Sequence, residues 1–323
     1  MKTLKILLFF FLIFSCNEPK PNSTYKPTSS GNINNLLVVS GDDLWDGPVG
    51  DALRRNIGSE IYGLPQAEPY FELRHVPTAV FSDFVRRNRI VLKIQTSEIS
   101  EVKYYKDPYA SPQIVTVISA PDQSKIIELI RDKSEEIIST FRSVEFKEKQ
   151  RRISKSLYNS ESIKSLLGID IKFSSAYRIA KQKEHFSWIR RDTENGSLNL
   201  LLYSLPIKNF NDNSSFQEFI IKSRDSISKM EIPGPKEGDY MTTEQSYKPL
   251  SFMTELSGAS VFQTKSLWKV DGAFMSGPFV NYCFIDTNNN RLLIAEGFVY
   301  APARTKRDYI FELETIIRSI TLD

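Results

Sequence analysis

The chain has 323 residues, 41% of them apolar and 25% charged, values ordinary for a folded body and a length beyond one small domain. Its 42 Lys and Arg stand against 39 Asp and Glu, a near balance that excludes the broad basic footprint of a nucleic-acid-binding protein. Only two cysteines and two histidines occur, which excludes a disulfide scaffold and the common Cys/His metal frameworks.

Lys2 and Lys5 form a positive start, Ile6 to Phe14 is an unbroken apolar run, and Ser15 precedes Cys16. That run is too short to span a bilayer, which takes about twenty helical residues, so residues 1–16 read as an export signal. Ile13 to Cys16 resembles a lipobox, which implies cleavage before Cys16 and lipid attachment to it. Loss of Lys2 and Lys5 leaves the mature chain close to neutral. Acylation of Cys16 leaves Cys283 without a disulfide partner. Residues 17–35, rich in Pro, Asn, Ser and Thr, bury too little to offset ordering and are expected to form a flexible tether. Asn17 and the lone nearby acid Glu18 lack the acidic cluster of a surface-export signal, so the expected location is the outer membrane, facing the periplasm.

An N-terminal domain is expected over 36–157. Leu36 to Ser40 reads as a strand, and Asp46-Gly47-Pro48 opens a helix with Val49, Leu53 and Ile57 on one face. Tyr70 to His75 reads as extended, Ala79 to Arg87 as a helix turning Val80, Phe81, Phe84 and Val85 inward, and Ile90 to Gln95 and Gln113 to Ile118 as strands. A long helix, opened by Asp122, is expected from Ala120 to about Leu157, with Ile130, Ile137 and Val144 along its apolar stripe. Its Lys147 to Arg152 run reads as a solvated overhang or, more sharply, as a partner-binding helix.

A composition shift at Tyr158 to Gly168 opens the C-terminal domain, 158–323. Ile169 to Phe173, Tyr177 to Arg191 and Ser197 to Leu205 read as strands, with a turn at Glu194 to Gly196. Phe216 to Met230 reads as a helix, and Ile232 to Leu250, punctuated by Pro and Gly, as a long loop. Four strands follow, Gly258 to Thr264, Leu267 to Met275, Phe279 to Asp286 and Arg291 to Tyr300. A helix over about Thr305 to Ile320 closes the chain. The fold class is α+β: two domains, each a mainly antiparallel or mixed sheet with helices packed on it.

Candidate binding residues fall in two places. Asp42, Asp43 and Asp46 beside Trp45 form the most site-like cluster, but their spacing lacks the Gly and distal Glu of a calcium loop, so no metal site is read there. Tyr104, Tyr105 and Tyr109 are expected in an aromatic loop able to stack on a sugar or a partner. His185, on the strand parity of Lys181 and Lys183, is expected to face solvent. Without a His-Glu-x-x-His, Gly-x-Ser-x-Gly or phosphate-loop motif, no cofactor and no catalytic residue is assigned. Cys283, in a largely apolar run, reads as a buried thiol.

Leu36 to Trp45, Arg54-Arg55, Phe71 to Ile94, Trp268 to Phe279 and Glu296 to Pro302 together resemble a lipoprotein family of unknown function found in Bacteroidota. The resemblance implies an envelope lipoprotein and no particular reaction. The C-terminal strands and closing helix resemble the PsbP/Mog1 type of binding module. The expected role is therefore binding or envelope assembly, held to the membrane by the lipid on Cys16, with an envelope protein or glycan as partner and no nucleic acid. The alternatives are a hydrolase acting on glycan or peptide, drawing acids from Asp42–Asp46 and the Glu237-Asp239-Tyr240 region, and a structural spacer.

Overall fold

In the N-terminal half, strands that read as continuous apolar runs rather than as alternations pack on both faces, the pattern of a parallel sheet. The computed structural model describes residues 26–207, 215–256 and 258–322; Cys16 and the signal segment lie outside them. β1 (Asn35–Ser40) leads through a one-turn helix α1 (Asp42–Trp45) and α2 (Pro48–Asn56) to β2 (Glu72–Pro77). β3 (Ile90–Thr96), β4 (Glu101–Lys106) and β5 (Ile114–Ala120) follow, and α3 (Gln123–Ile153) ends the half. The strand order is β2-β1-β3-β5-β4, parallel except for β4, which runs antiparallel to β5 along one edge.

One face of this sheet packs under α2 and α3 through Leu36, Val38, Leu92, Ile118, Leu53, Ile130 and Phe141. The other, with Leu37, Val39, Val91 and Val115, is covered by Phe81 and its neighbours. No helix forms over 79–87: Asp83 has a positive φ of 40° and breaks the segment into two 3-10 turns. Phe81 is thereby buried while Val80 and Phe84 face solvent.

α4 (Glu161–Leu167), a short β6 (Ile169–Asp170), β7 (Arg178–Lys183), β8 (Phe186–Thr193) and β9 (Gly196–Pro206) open the C-terminal half. Then come α5 (Phe216–Glu231), β10 (Tyr240–Thr243), β11 (Leu250–Leu256), β12 (Ala259–Asp271), β13 (Ser276–Asp286), β14 (Arg291–Tyr300), α6 (Arg307–Ile317) and β15 (Thr321–Leu322). The large antiparallel sheet runs β10-β12-β13-β14-β9-β8-β7, with β11 also paired to β12. The strands expected separately at 258–264 and 267–275 are one continuous β12, because β11 and β10 pair with its two halves in turn. The strand expected from Tyr177 to Arg191 folds back at Glu184-His185, where His185 takes a φ of 59°; its side chain is solvent-facing in that turn. α5 lies on one face of the sheet and α6 on the other. Gly297 lets α6 sit close, since a Cβ there would come 2.7 Å from Leu313 Cβ.

The halves share a seam built on α3 and α6. At about 1.5 Å per residue the 31-residue α3 is roughly 46 Å long. Its N-cap Asp122 accepts from Lys125 N at 2.9 Å, and its far end lies along α6. Phe146 stacks on Phe311 at 4.3 Å, Lys149 meets Glu312 at 2.6 Å and Arg142 meets Glu314 at 2.7 Å. Glu68, from the α2–β2 connection, caps α6 across the seam by accepting from Lys306 N and Arg307 N at 2.7 and 2.9 Å. Ile61 and Leu64 from that connection and Ile153 from α3 join the C-terminal core.

Two expectations are corrected here. The Lys147 to Arg152 run is not a solvated overhang: Glu148 is buried, bonded to Arg151 and Arg152, and Lys149 is committed to Glu312. Residues 26–35 are not tether but packed chain. Ser30 N donates to Arg87 O, the buried Arg89 donates to the carbonyls of Gly31 and Asn32, and Asn34 N donates to Glu145. The ordering is carried by backbone groups, which composition does not register.

Candidate functional site

The strand order reverses between β1 and β3, and open α/β sheets place ligands outside the carboxyl ends of strands at such a point. Asp42, Asp43, Trp45 and Asp46 follow the end of β1 there, on α1 and its C-cap rather than in an open loop. Trp45 is sandwiched. His75 stacks on one side at 4.7 Å and 4°, and the Arg54 guanidinium lies 4.4 Å from the ring centre. An indole engaged by both groups offers no open platform for a sugar. Asp42, Asp43 and Asp46 are exposed, and among the described residues no group of three or more His, Cys, Asp or Glu is placed to hold a metal ion.

Ser40, His75 and Asp42 come near a nucleophile–base–acid order: Ser40 Oγ is 3.1 Å from His75 Nε2, and His75 Nδ1 is 3.9 Å from Asp42. The last distance exceeds a hydrogen bond. Ser40 is 1% exposed and its hydroxyl also donates to Gly41 O at 3.1 Å, so no substrate carbonyl reaches it. Among the described residues the Glu237-Asp239-Tyr240 region shares no hydrogen-bond or ring partner with this cluster. Asp239 turns back on its own loop, accepting from Lys236 N at 3.1 Å.

The three tyrosines do not form one aromatic loop. Tyr104 and Tyr105 are neighbours on β4 and point to opposite faces, Tyr104 onto the core beneath α3 and Tyr105 to solvent. Tyr109 lies in the following turn, edge-on to Phe81 at 5.7 Å and 5.4 Å from the Arg86 guanidinium. Cys283 is fully buried, and burial pushes its thiol up to about 12.

A cleft of about 920 Å³ lies elsewhere, between the two halves. α2 and its C-terminal exit give it Arg55, Asn56 and Ser59; α3 gives Arg142, Phe146, Lys147 and Gln150; β11 gives Phe252; β12 gives Gln263 and Lys265; and the end of α6 gives Glu314 and Arg318. Clefts at domain junctions are favoured ligand sites. Five cations face two carboxylates, Glu135 and Glu314, and Glu314 is already committed. It meets Arg142 at 2.7 Å and Lys265 at 2.9 Å, with Gln263 Nε2 donating at 3.3 Å. Burial would raise its carboxyl, but Lys265 and Arg142 outweigh burial and hold it at about 2. Among the described residues neither Arg55 nor Lys147 has a side-chain hydrogen bond or ion pair. Arg318 lies over Phe146 at 4.4 Å with its buried Nε lacking an acceptor.

Asp42, Asp43, Trp45, Asp46, Tyr104, Tyr105 and Tyr109 do not line this cleft, whereas Lys147 and Gln150, from the run read as an overhang or a partner-binding helix, do. Its members come from segments more than 250 positions apart and share no local motif. One trace was present. Glu135, Ile138, Arg142, Phe146 and Gln150 recur at helical spacing, a second stripe on α3 beside the apolar one.

A family model described as a domain of unknown function (DUF4837) matches residues 156–319, and another described as a domain of unknown function (DUF8532) matches residues 29–154. Among solved structures the chain is similar to the Ran-binding protein Mog1p of Saccharomyces cerevisiae, at 11% identity and a TM-score of 0.31, covering 49% of this chain and 92% of that one. It is also similar to a variant of the protein Mog1, at 9% identity and a TM-score of 0.30, covering 48% of this chain and 90% of that one. No curated protein matches the chain.

Proposed function

We propose a binding role, starting from the fact that the chain belongs to the DUF4837 family, described as a domain of unknown function. In this reading it is an envelope lipoprotein, anchored through Cys16 and facing the periplasm, that holds an anionic glycan in the cleft between its halves. One observation carries the ligand class: Arg55, Lys147 and Arg318 line the cleft, and among the described residues no carboxylate is hydrogen-bonded to any of them. Arg55 and Lys147 are exposed and Arg318 is half-buried, so all three can turn charge-assisted hydrogen bonds toward an incoming anion. The exposed ring of Phe252 and the amides of Asn56 and Gln150, which line the same cleft, suit sugar rings and hydroxyls. A pure spacer would have no use for such a lining.

The test is calorimetric titration with tetragalacturonate and, as the neutral control, chitotetraose. Binding is expected for the acidic oligosaccharide alone. An Arg55→Ala, Lys147→Ala double variant should weaken it roughly tenfold or more, since a hydrogen bond to a charged group contributes about 1.5–3 kcal/mol. Equal affinity for both sugars, or unchanged affinity in the double variant, would remove the anionic-glycan reading.

A further inference from the structure

The described chain begins at Lys26, and what surrounds that point bears on how the body meets the membrane. Lys26 Nζ donates to Asp107 O at 2.6 Å, and Pro27 O accepts from Ser111 N at 2.9 Å. The chain therefore enters beside the β4–β5 turn. Ser30 N donates to Arg87 O at 2.8 Å, and Gln113 Nε2 donates to Arg86 O, so the segment before β3 lies on the same side. This side is chemically distinct. Phe84 is 66% exposed and Tyr109 41% exposed, and Lys26, Arg86, Arg87 and Lys106 are exposed around them. Against these four cations stand Asp83, which is exposed, and Asp107, whose carboxylate already accepts from Gln113 N and Ser111 Oγ.

Lys26 lies ten positions after Cys16 in the sequence, a reach of at most about 36 Å when fully extended. That is shorter than α3. A body joined so closely to an acylated cysteine cannot lift its entry side far from the headgroups. Exposed cations there are drawn to anionic lipid by about 1 kcal/mol each near the surface, and Tyr and Phe suit the interface between headgroups and acyl chains.

We infer that the face formed by Lys26, Phe84, Arg86, Arg87, Lys106 and Tyr109 rests on an anionic bilayer surface, with Phe84 entering the headgroup region. The inference rests on the lipid-anchor reading of Cys16 and is independent of what the cleft binds. Docking this face sets the orientation of the anchored body.

The experiment uses the acylated full chain on vesicles of phosphatidylethanolamine and phosphatidylglycerol, 3:1. Cys283 is buried and Cys16 is acylated, so one introduced thiol takes an environment-sensitive fluorophore selectively. Phe84→Cys is compared with Phe274→Cys, whose side chain is fully exposed on the β12–β13 turn. On vesicles the probe at 84 should shift to the blue and be quenched by brominated lipid while the probe at 274 does neither. Arg86→Glu with Arg87→Glu should abolish the shift at 84 and leave co-flotation with vesicles intact. Flotation with both probes remaining water-like overturns the docking and leaves the anchor standing. Shielding at 84 that appears only when other envelope proteins are added overturns it in favour of a protein partner. A chain that does not float overturns the anchor and the docking with it.

Discussion

Glu314 is the residue on which seam and cleft both depend, because its carboxylate is shared by Arg142 from one half and Lys265 from the other. Its folded value of about 2 lies below the ordinary 4.5, so the unfolded chain holds this proton more tightly than the folded one. The linked stability, about 3 kcal/mol for a shift of this size, is fully present above pH 4.5 and is lost as pH falls toward 2. Glu314→Gln leaves two half-buried cations, Arg142 and Lys265, without their shared carboxylate and should destabilise the protein by about 3 kcal/mol at pH 7. The difference from wild type should shrink over pH 4.5 to 2. Urea midpoints measured across that range check it, and a constant difference would mean that Glu314 is not the titrating group.

Among the elements, α6 is the most tightly constrained, with the large sheet on one side and α3 on the other. Gly297 sets its approach to β14. A Cβ there meets Leu313 Cβ, an atom fixed to the helix backbone that cannot swing aside, so Gly297→Ala should cost about 1–3 kcal/mol by overpacking. The same seam should loosen. Faster amide exchange in both α6 and the last two turns of α3 would report it, and loosening confined to β14 would count against the shared seam. α3 and α5 were legible in the sequence because an apolar stripe of period 3.6 needs only local information. The split of 79–87 into two turns was not, since it hinges on one positive φ at Asp83. The fused β12 was not either, because its continuity comes from two partner strands on one edge. Trp45 and the acids around it were legible as a cluster, whereas what occupies the indole, Arg54 and His75, is set by packing across two strands and a helix. The cleft stayed hidden for the most general reason: in sequence Lys147, which lines it, looks the same as Lys149, which pairs with Glu312 163 residues away.

At the scale of the molecule, the two matched family segments meet near residue 155, yet the halves are joined by stacked rings, buried ion pairs and a helix cap supplied across the seam. Such a junction favours one cooperative transition. Trp45 reports on the first half and Trp188 and Trp268 on the second. Replacing each pair in turn by Phe should give coincident urea transitions, and separated midpoints would show that the halves unfold independently. The placement of α6 has a further consequence, for the order in which the chain comes to exist. A chain made from its N-terminus has α3 long before residues 307–317. Until they arrive, Arg142 and Lys149 have no counter-ions, Phe146 has no ring to stack on, and Glu68 has no helix to cap. The first half is left unfinished until the last helix is made, so completion of the C-terminal segment is the step that finishes the body.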